Sequence, residues 1–481
     1  MTPSVKLVAK EVNEPCAMLL RKASMDKPAF PRFPSDFAWG VSTASYQIEG
    51  AVAEDGRGPS SWDAFVAEPG RVLGGDTGDI ACDHYHRYPE DIHLMEELGV
   101  DSYRFSFAWP RIQPGGTGPV NPAGLGFYDR LVDGLLEAGI APSPTLFHWD
   151  TPLELEQAGG WLNRDTAERF GQYARIVGEH FADRIPRWIT INEPVVVTML
   201  GYGAGIHAPG LELGFDALPA AHNLLLAHGL GVQALRSSGA SNIGIANNHA
   251  VTWPASNSME DLQAAGLYDN ITNWIFADPI LTGAYPPELA PFLPTVPESD
   301  MVTISTPLDW YGINSYNPTL VGAPTSVEAA LVDGHELDAS LPFSLRELVG
   351  YPRTDFDWPV VPEAFTELLV GFKERYGDKL PPIYITENGA AFNDGPDNDG
   401  RVRDQRRVDY TDSHLRALKA AMDAGVDVRG YFHWSLMDNF EWAAGFSQRF
   451  GLVHVNYETQ KRTPKDSYYW YKELIKHTKD Q

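Results

Sequence analysis

Apolar positions along this chain follow two alternating rhythms. Short runs rich in β-branched and aromatic residues are separated by longer stretches in which apolar residues recur every three or four positions, the signature of β-strands alternating with helices. Strands are predicted near Ala38–Ser42, Ser102–Phe107, Ala141–Phe147, Trp188–Asn192, Ile243–Asn247, Trp310–Asn314, Ile383–Thr386 and Val428–Trp434. Between them, Tyr128, Leu131, Val132, Leu135 and Leu136 form one helical stripe that Gly139 terminates. A second helix is expected to open at Pro89, with Ile92, Met95 and Leu98 inward and Gly99 at its end. A third is expected from about 164 to 183, with Phe170, Tyr173, Val177 and Phe181 on one side.

Eight strands in alternation with helices predict an α/β fold, a single (β/α)8 TIM barrel with loop insertions at the C-terminal face of the strands. It is expected to span residues 31–476, after a loose N-terminal extension over 1–30. The alternative is an open doubly wound sheet, which when it binds a dinucleotide carries a G-x-G-x-x-G turn after its first strand. None is found. Residues 319–353 are long, polar and weakly patterned, and are expected to form an insertion loop over the barrel mouth.

Composition narrows the classes of partner. The 481 residues are 43% hydrophobic, enough for a large core, and carry a formal net charge of -27. A field of that sign disfavours nucleic acid and anionic membrane surfaces and suits small neutral ligands. Two cysteines, Cys16 and Cys82, do not make a disulfide framework. No apolar run approaches the roughly 20 residues of a membrane span. Glu11 and Glu14 interrupt the region where a secretory signal would be apolar, so a cytoplasmic location is expected. Met25 is an alternative start, and self-association into a homo-oligomer stays open.

The ends of the predicted strands concentrate chemistry. The fourth runs into Glu193-Pro194, the seventh into Glu387-Asn388-Gly389, the third into His148-Trp149-Asp150, and the eighth ends at Trp434. Barrel enzymes build their sites at this end of the strands. Two carboxyls facing each other across the mouth are what glycosidic cleavage needs: one protonates the leaving oxygen, and the other attacks the anomeric carbon or activates water. Gln47, His148, Asn192 and Glu441 could bind hydroxyls, and indoles stack on pyranose faces. The tripeptide N-E-P also occurs at Asn13-Glu14-Pro15, but follows no strand there and is set aside. Asp83-His84-Tyr85-His86 lacks a matched downstream ligand cluster and reads as structural, so neither metal nor cofactor is expected. Trp39, Trp109 and Trp188 read as core.

From about Phe33 to Tyr471 the chain resembles glycoside hydrolase family 1, the β-glucosidase-like family. The resemblance rests on F-A-W-G-V-S-T-A-S-Y-Q-I-E-G (37–50), Y-R-F-S-F-A-W-P-R-I (103–112), H-W-D-T-P (148–152), I-N-E-P (191–194), Y-I-T-E-N-G (384–389) and W-S-L-M-D-N-F-E-W (434–442), all in order. It implies a retaining β-glucosidase acting on small β-glucosides and cello-oligosaccharides such as cellobiose. By the same resemblance Glu193 is the acid/base and Glu387 the nucleophile. Gln47, His148, Trp149, Asn192, Asn314, Trp434, Glu441, Trp442 and Phe450 are the expected sugar-site residues, with Arg104 and Tyr316 on the nucleophile and Trp358 near the aglycone entrance. Thr151 and Ser42 depart from the usual residues outside these roles. Relatives that cleave phosphorylated sugars tend to carry serine at the position of Glu441, which here would repel a phosphate; myrosinase-like relatives carry glutamine at that of Glu193. β-Galactosidase, β-fucosidase or transglycosylase activity on the same machinery, and a non-catalytic sugar-binding protein, are the alternatives.

Overall fold

The computed structural model describes residues 30–293, 295–324 and 341–480. Eight parallel strands close into a barrel: β1 (Ala38–Ser42), β2 (Ser102–Ser106), β3 (Ala141–Phe147), β4 (Trp188–Asn192), β5 (Ile243–Asn248), β6 (Tyr311–Asn314), β7 (Ile383–Asn388) and β8 (Val428–Trp434). Each pairs with its neighbours in chain order, and β8 pairs back onto β1, Ala38 opposite Gly430 and Ser42 opposite Trp434. The expected strands are found with ends shifted by no more than two residues, the largest shift extending β7 through Glu387 to Asn388.

Strands covered on both faces are buried at consecutive positions, as in Ser102–Ser106 and Trp188–Asn192, where every residue is buried. Glycines make room for rings inside this packing. A Cβ on Gly40 would lie 2.3 Å from the Phe432 ring, and one on Gly244 2.6 Å from Trp310.

The helices explain their own limits. Asn121 caps the helix Pro122–Glu137 by accepting from the Ala123 amide at 3.2 Å, and Pro122 takes the first turn, where a missing N–H costs nothing. Tyr128, Leu131, Val132 and Leu135 are buried as expected, whereas Leu136 is 40% exposed at the edge of the stripe. Gly139 follows the helix at φ 73°, the left-handed conformation that stops it. The helix Arg164–Phe181 buries Phe170, Tyr173, Val177 and Phe181. The expected opening at Pro89 is corrected: the helix is His84–Leu98, and Pro89 lies inside it. There the proline leaves one turn without its hydrogen bond, and the buried His84, paired with Asp91 at 2.8 Å, starts the helix earlier. His84 thus serves structure, because Asp91 in turn is held by Arg462 at 2.9 Å. Trp39, Trp109 and Trp188 are fully buried.

The region 319–353 is not all loop. Thr319–Gly322 and Ser344–Arg346 pair antiparallel, and Thr252–Pro254 joins them in parallel to make a three-stranded sheet. The extension over 1–30, with Cys16, Met25 and the first N-E-P, lies outside the described residues except for Phe30, whose ring meets Trp470 at 5.7 Å. Among the described residues no helix is long and apolar enough to cross a membrane.

Candidate active site

Glu193 follows the last residue of β4. Its φ of 43° is left-handed, a conformation of non-glycine residues found where surrounding structure compels it. Its amide donates to the carbonyl of Ala246 on β5 at 2.7 Å, which fixes the turn and aims the side chain across the barrel mouth. Trp149 and Trp442 share positive φ, at 76° and 51°. Three of the expected site residues are therefore held in costly backbone conformations.

Glu387 lies within β7 near its C-terminal end. Arg104 from β2 donates to its Oε1, and the Tyr316 hydroxyl donates to Oε2 at 2.6 Å. Both oxygens therefore act as acceptors. Burial and then the charge of Glu387 hold the Tyr316 hydroxyl well above the usual phenol range, so it stays a donor.

Arg104 organises the floor. Its Nη1 also donates to the Thr386 carbonyl at 3.0 Å, and its Nη2 to Asn192 Oδ1 at 2.5 Å. Arginine has no acceptor, so this Asn192 atom is the oxygen. The Asn314 group facing that oxygen at 3.0 Å must then be its NH2, which also reaches Glu193 Oε1 at 2.7 Å. A chain of hydrogen bonds thus connects the two carboxyls, with Arg104 and Asn314 donating and Asn192 Oδ1 accepting from both.

Glu193 sits in the opposite regime. Burial, and next the negative charge of Glu387, push its pKa up to about 8 against the hydrogen bonds from Asn314 and Asn248 and the charge of Arg104. At neutral pH one carboxyl is protonated and the other is an acceptor at both oxygens.

The rest of the predicted site gathers around this pair. His148 lies near-parallel between two indoles, 6.0 Å from Trp434 and 5.8 Å from Trp442. Burial and then Arg104 hold its pKa well below the usual imidazole value. Neutral, it takes the Asn192 NH2 on Nε2 at 3.1 Å, which puts its proton on Nδ1, a buried atom with no protein partner. Gln47 has the reverse polarity. Its Nε2 donates to the Phe440 carbonyl at 2.7 Å, to Asn439 at 3.1 Å and to Glu441 at 3.4 Å, and its buried Oε1 is left over. The pocket therefore offers one donor and one acceptor already desolvated. Trp149 braces it: its indole N–H donates to the Asn192 carbonyl at 3.0 Å, and its ring meets Trp442 at 4.4 Å. On the side of Glu387, Phe450, Trp358 and Tyr316 form an aromatic wall, Trp358 lying 5.4 Å from Tyr316 and 5.8 Å from Phe450.

Three side chains of this network are not among the site residues the sequence predicts. Asn248 ends β5 one residue beyond the predicted strand and donates to Glu193 Oε1 at 3.2 Å. Thr386 donates to Asn314 Oδ1 at 2.6 Å, and Asn439 orients Gln47. The strand-end position that drew attention to Glu193 applied equally to Asn248.

A protonated carboxyl and a second carboxyl that accepts hydrogen bonds at both oxygens, gathered at one barrel mouth, are what the breaking of a glycosidic bond calls for, and the chain is a glycoside hydrolase. It belongs to Glycosyl hydrolase family 1, whose sequence profile matches residues 30–480. It is 46% identical to Beta-glucosidase A of Thermotoga maritima over 92% of this chain and 98% of that one. A bifunctional beta-D-glucosidase/beta-D-fucosidase of Bifidobacterium breve is 44% identical over 92% of this chain and 98% of its own. Among solved structures, the Thermotoga maritima beta-glucosidase in complex with deoxynojirimycin superposes with a TM-score of 0.87 at 45% identity, covering 93% of this chain and 99% of that one.

Proposed function

We propose that this chain is a retaining β-glucosidase that removes terminal non-reducing β-D-glucosyl residues by double displacement. Glu387, an acceptor at both oxygens, attacks the anomeric carbon while protonated Glu193 gives its proton to the leaving oxygen. With Glu387 esterified its charge disappears, the pKa of Glu193 falls, and Glu193 takes a proton from the water that frees the sugar. The observation that carries this reading is the contrast between the two carboxyls: Arg104 and Tyr316 on one, burial and a neighbouring charge on the other.

The glycone is read by two unspent polar atoms, Nδ1–H of His148 giving a hydrogen bond and Oε1 of Gln47 taking one, with the Glu441 carboxyl beside Gln47 as a further contact. A site built to pair hydroxyls in this way rejects sugars that leave a buried atom unpaired. Trp434 and Trp442 supply stacking faces, and Trp358 with Phe450 borders the aglycone. Small β-glucosides and cello-oligosaccharides such as cellobiose are the substrates this arrangement suits. The Bifidobacterium breve relative supports a second reading, in which β-D-fucosides are also cleaved.

The test is nitrophenol release from 4-nitrophenyl β-D-glucoside by wild type and by Glu387→Gly, with the matching fucoside and galactoside alongside. Wild-type turnover with a loss on the order of 10⁴-fold or more in the variant is expected. Equal rates in both proteins would remove Glu387 from the nucleophile's role.

A further inference from the structure

Side-chain hydrogen bonds to Glu193 fall on one oxygen. Asn314 Nδ2 and Asn248 Nδ2 both donate to Oε1, at 2.7 and 3.2 Å. The orientation of Asn314 is dictated from Arg104 through Asn192 and by the Thr386 hydroxyl on its Oδ1. Asn248 differs: it is half-buried, and its side-chain hydrogen bond among the described residues is the one to Glu193.

In a carboxylic acid the carbonyl oxygen is the good acceptor and the other oxygen carries the proton. We propose that Asn248 is a positioning residue for acid/base catalysis: together with Asn314 it assigns Oε1 as the carbonyl oxygen, so that the transferable proton rides on Oε2, and it stabilises the carboxylate formed when that proton leaves. The proposal rests on the reading of Glu193 as the acid/base.

In the first step the Oε2–H bond breaks and the proton passes to the aglycone oxygen. That oxygen keeps the electron pair of the broken C1–O bond, while a Glu387 oxygen bonds to C1. The charge released onto Glu193 is shared with Oε1, where both amide bonds become charge-assisted and roughly double in strength. In the second step the oxygen of water bonds to C1, its proton goes to Oε2, and Glu387 departs with its electron pair. Asn248 thus favours the state in which the proton has been given away. The charged and titratable groups facing Glu193 are Glu387 from β7, Arg104 from β2 and Tyr316 beyond β6. Each either contacts the nucleophile or is the nucleophile, so Asn248 is the neighbour through which the acid can be altered with least direct effect on the attack.

The experiment measures kcat/KM against pH for a series of aryl β-D-glucosides, from 2,4-dinitrophenyl to phenyl, in wild type, Asn248→Ala, the isosteric Asn248→Asp and Glu193→Gln. A dinitrophenolate leaves without a proton; phenol needs one. For Asn248→Ala the loss on the phenyl glucoside is expected to exceed that on the dinitrophenyl glucoside by about tenfold, the worth of one hydrogen bond to a charged group. The alkaline limb should move to higher pH, and further in Asn248→Asp, where a carboxyl replaces the donor. Losses equal across the series, with the limb unmoved in both variants, would overturn the proposal. Glu193→Gln keeps the two failures apart: if it shows no extra loss on poor leaving groups, the acid/base reading fails with the proposal, whereas an extra loss in Glu193→Gln but not in the Asn248 variants refutes the role of Asn248 alone.

Discussion

Glu193 carries a stability cost as well as a proton. Its folded pKa of about 8 lies above the roughly 4.3 of an exposed glutamate. Between those values the unfolded chain ionises the group and the folded chain keeps it protonated, so the contribution of Glu193 to stability declines as pH rises from about 4 to about 8 and then levels off. Glu193→Gln is neutral in both states and keeps an acceptor for Asn314. Its thermal midpoint relative to wild type should therefore climb over that window and plateau above it. A difference that stays flat with pH would mean that Glu193 titrates normally in the folded protein. The geometry that creates this cost joins residues far apart in sequence. Arg104 lies 283 positions from Glu387, and Asn314 lies 121 from Glu193.

Among the elements, the loops after β7 and β8 are joined by one side chain. Arg407 is fully buried in the helix Gln405–Asp423 and donates to Asp404 at 2.9 Å. Its other nitrogens donate to four loop carbonyls: Ala390, Phe392, Arg449 and Phe450. It thereby holds Phe450 against Trp358. Arg407→Met would leave Asp404 buried with its remaining partners and the four carbonyls short of a donor. A loss of about 3–5 kcal/mol in denaturant unfolding is expected, together with a raised KM for aryl glucosides as the aromatic wall loosens. A fall in stability with KM unchanged would separate the clamp from the site. Sequence patterning found both strands but neither this helix nor the clamp, because a buried arginine and an exposed one look alike in a sequence.

For the whole molecule, the net charge of -27 is the quantity that acts at range. Neutral glucosides do not feel it, while an aglycone bearing a carboxylate or sulfate approaches against it. Raising salt from about 10 mM to about 150 mM shortens the screening length from about 30 Å to about 8 Å. KM for the anionic substrate should fall over that range while KM for 4-nitrophenyl β-D-glucoside stays constant. Parallel behaviour of the two would show that the field at the mouth is already neutralised locally.

The sequence by itself determined the barrel and which polar and aromatic side chains stand at its strand ends. Strand and helix periodicities are local, strands buried on both faces require continuous apolar runs, and Glu193, His148, Glu387 and Trp434 stand at or beside predicted strand ends. The helix start displaced by Pro89 and the small sheet formed by Thr319–Gly322, Ser344–Arg346 and Thr252–Pro254 escaped it, since the first depends on a buried His84–Asp91 pair and the second on pairing across more than sixty residues. Tertiary structure alone decided which carboxyl keeps its proton. That depends on burial, on the charge opposite and on amide orientations passed from Arg104 through Asn192 to Asn314, and none of these exists until the closed barrel brings β2, β4, β6 and β7 to one mouth.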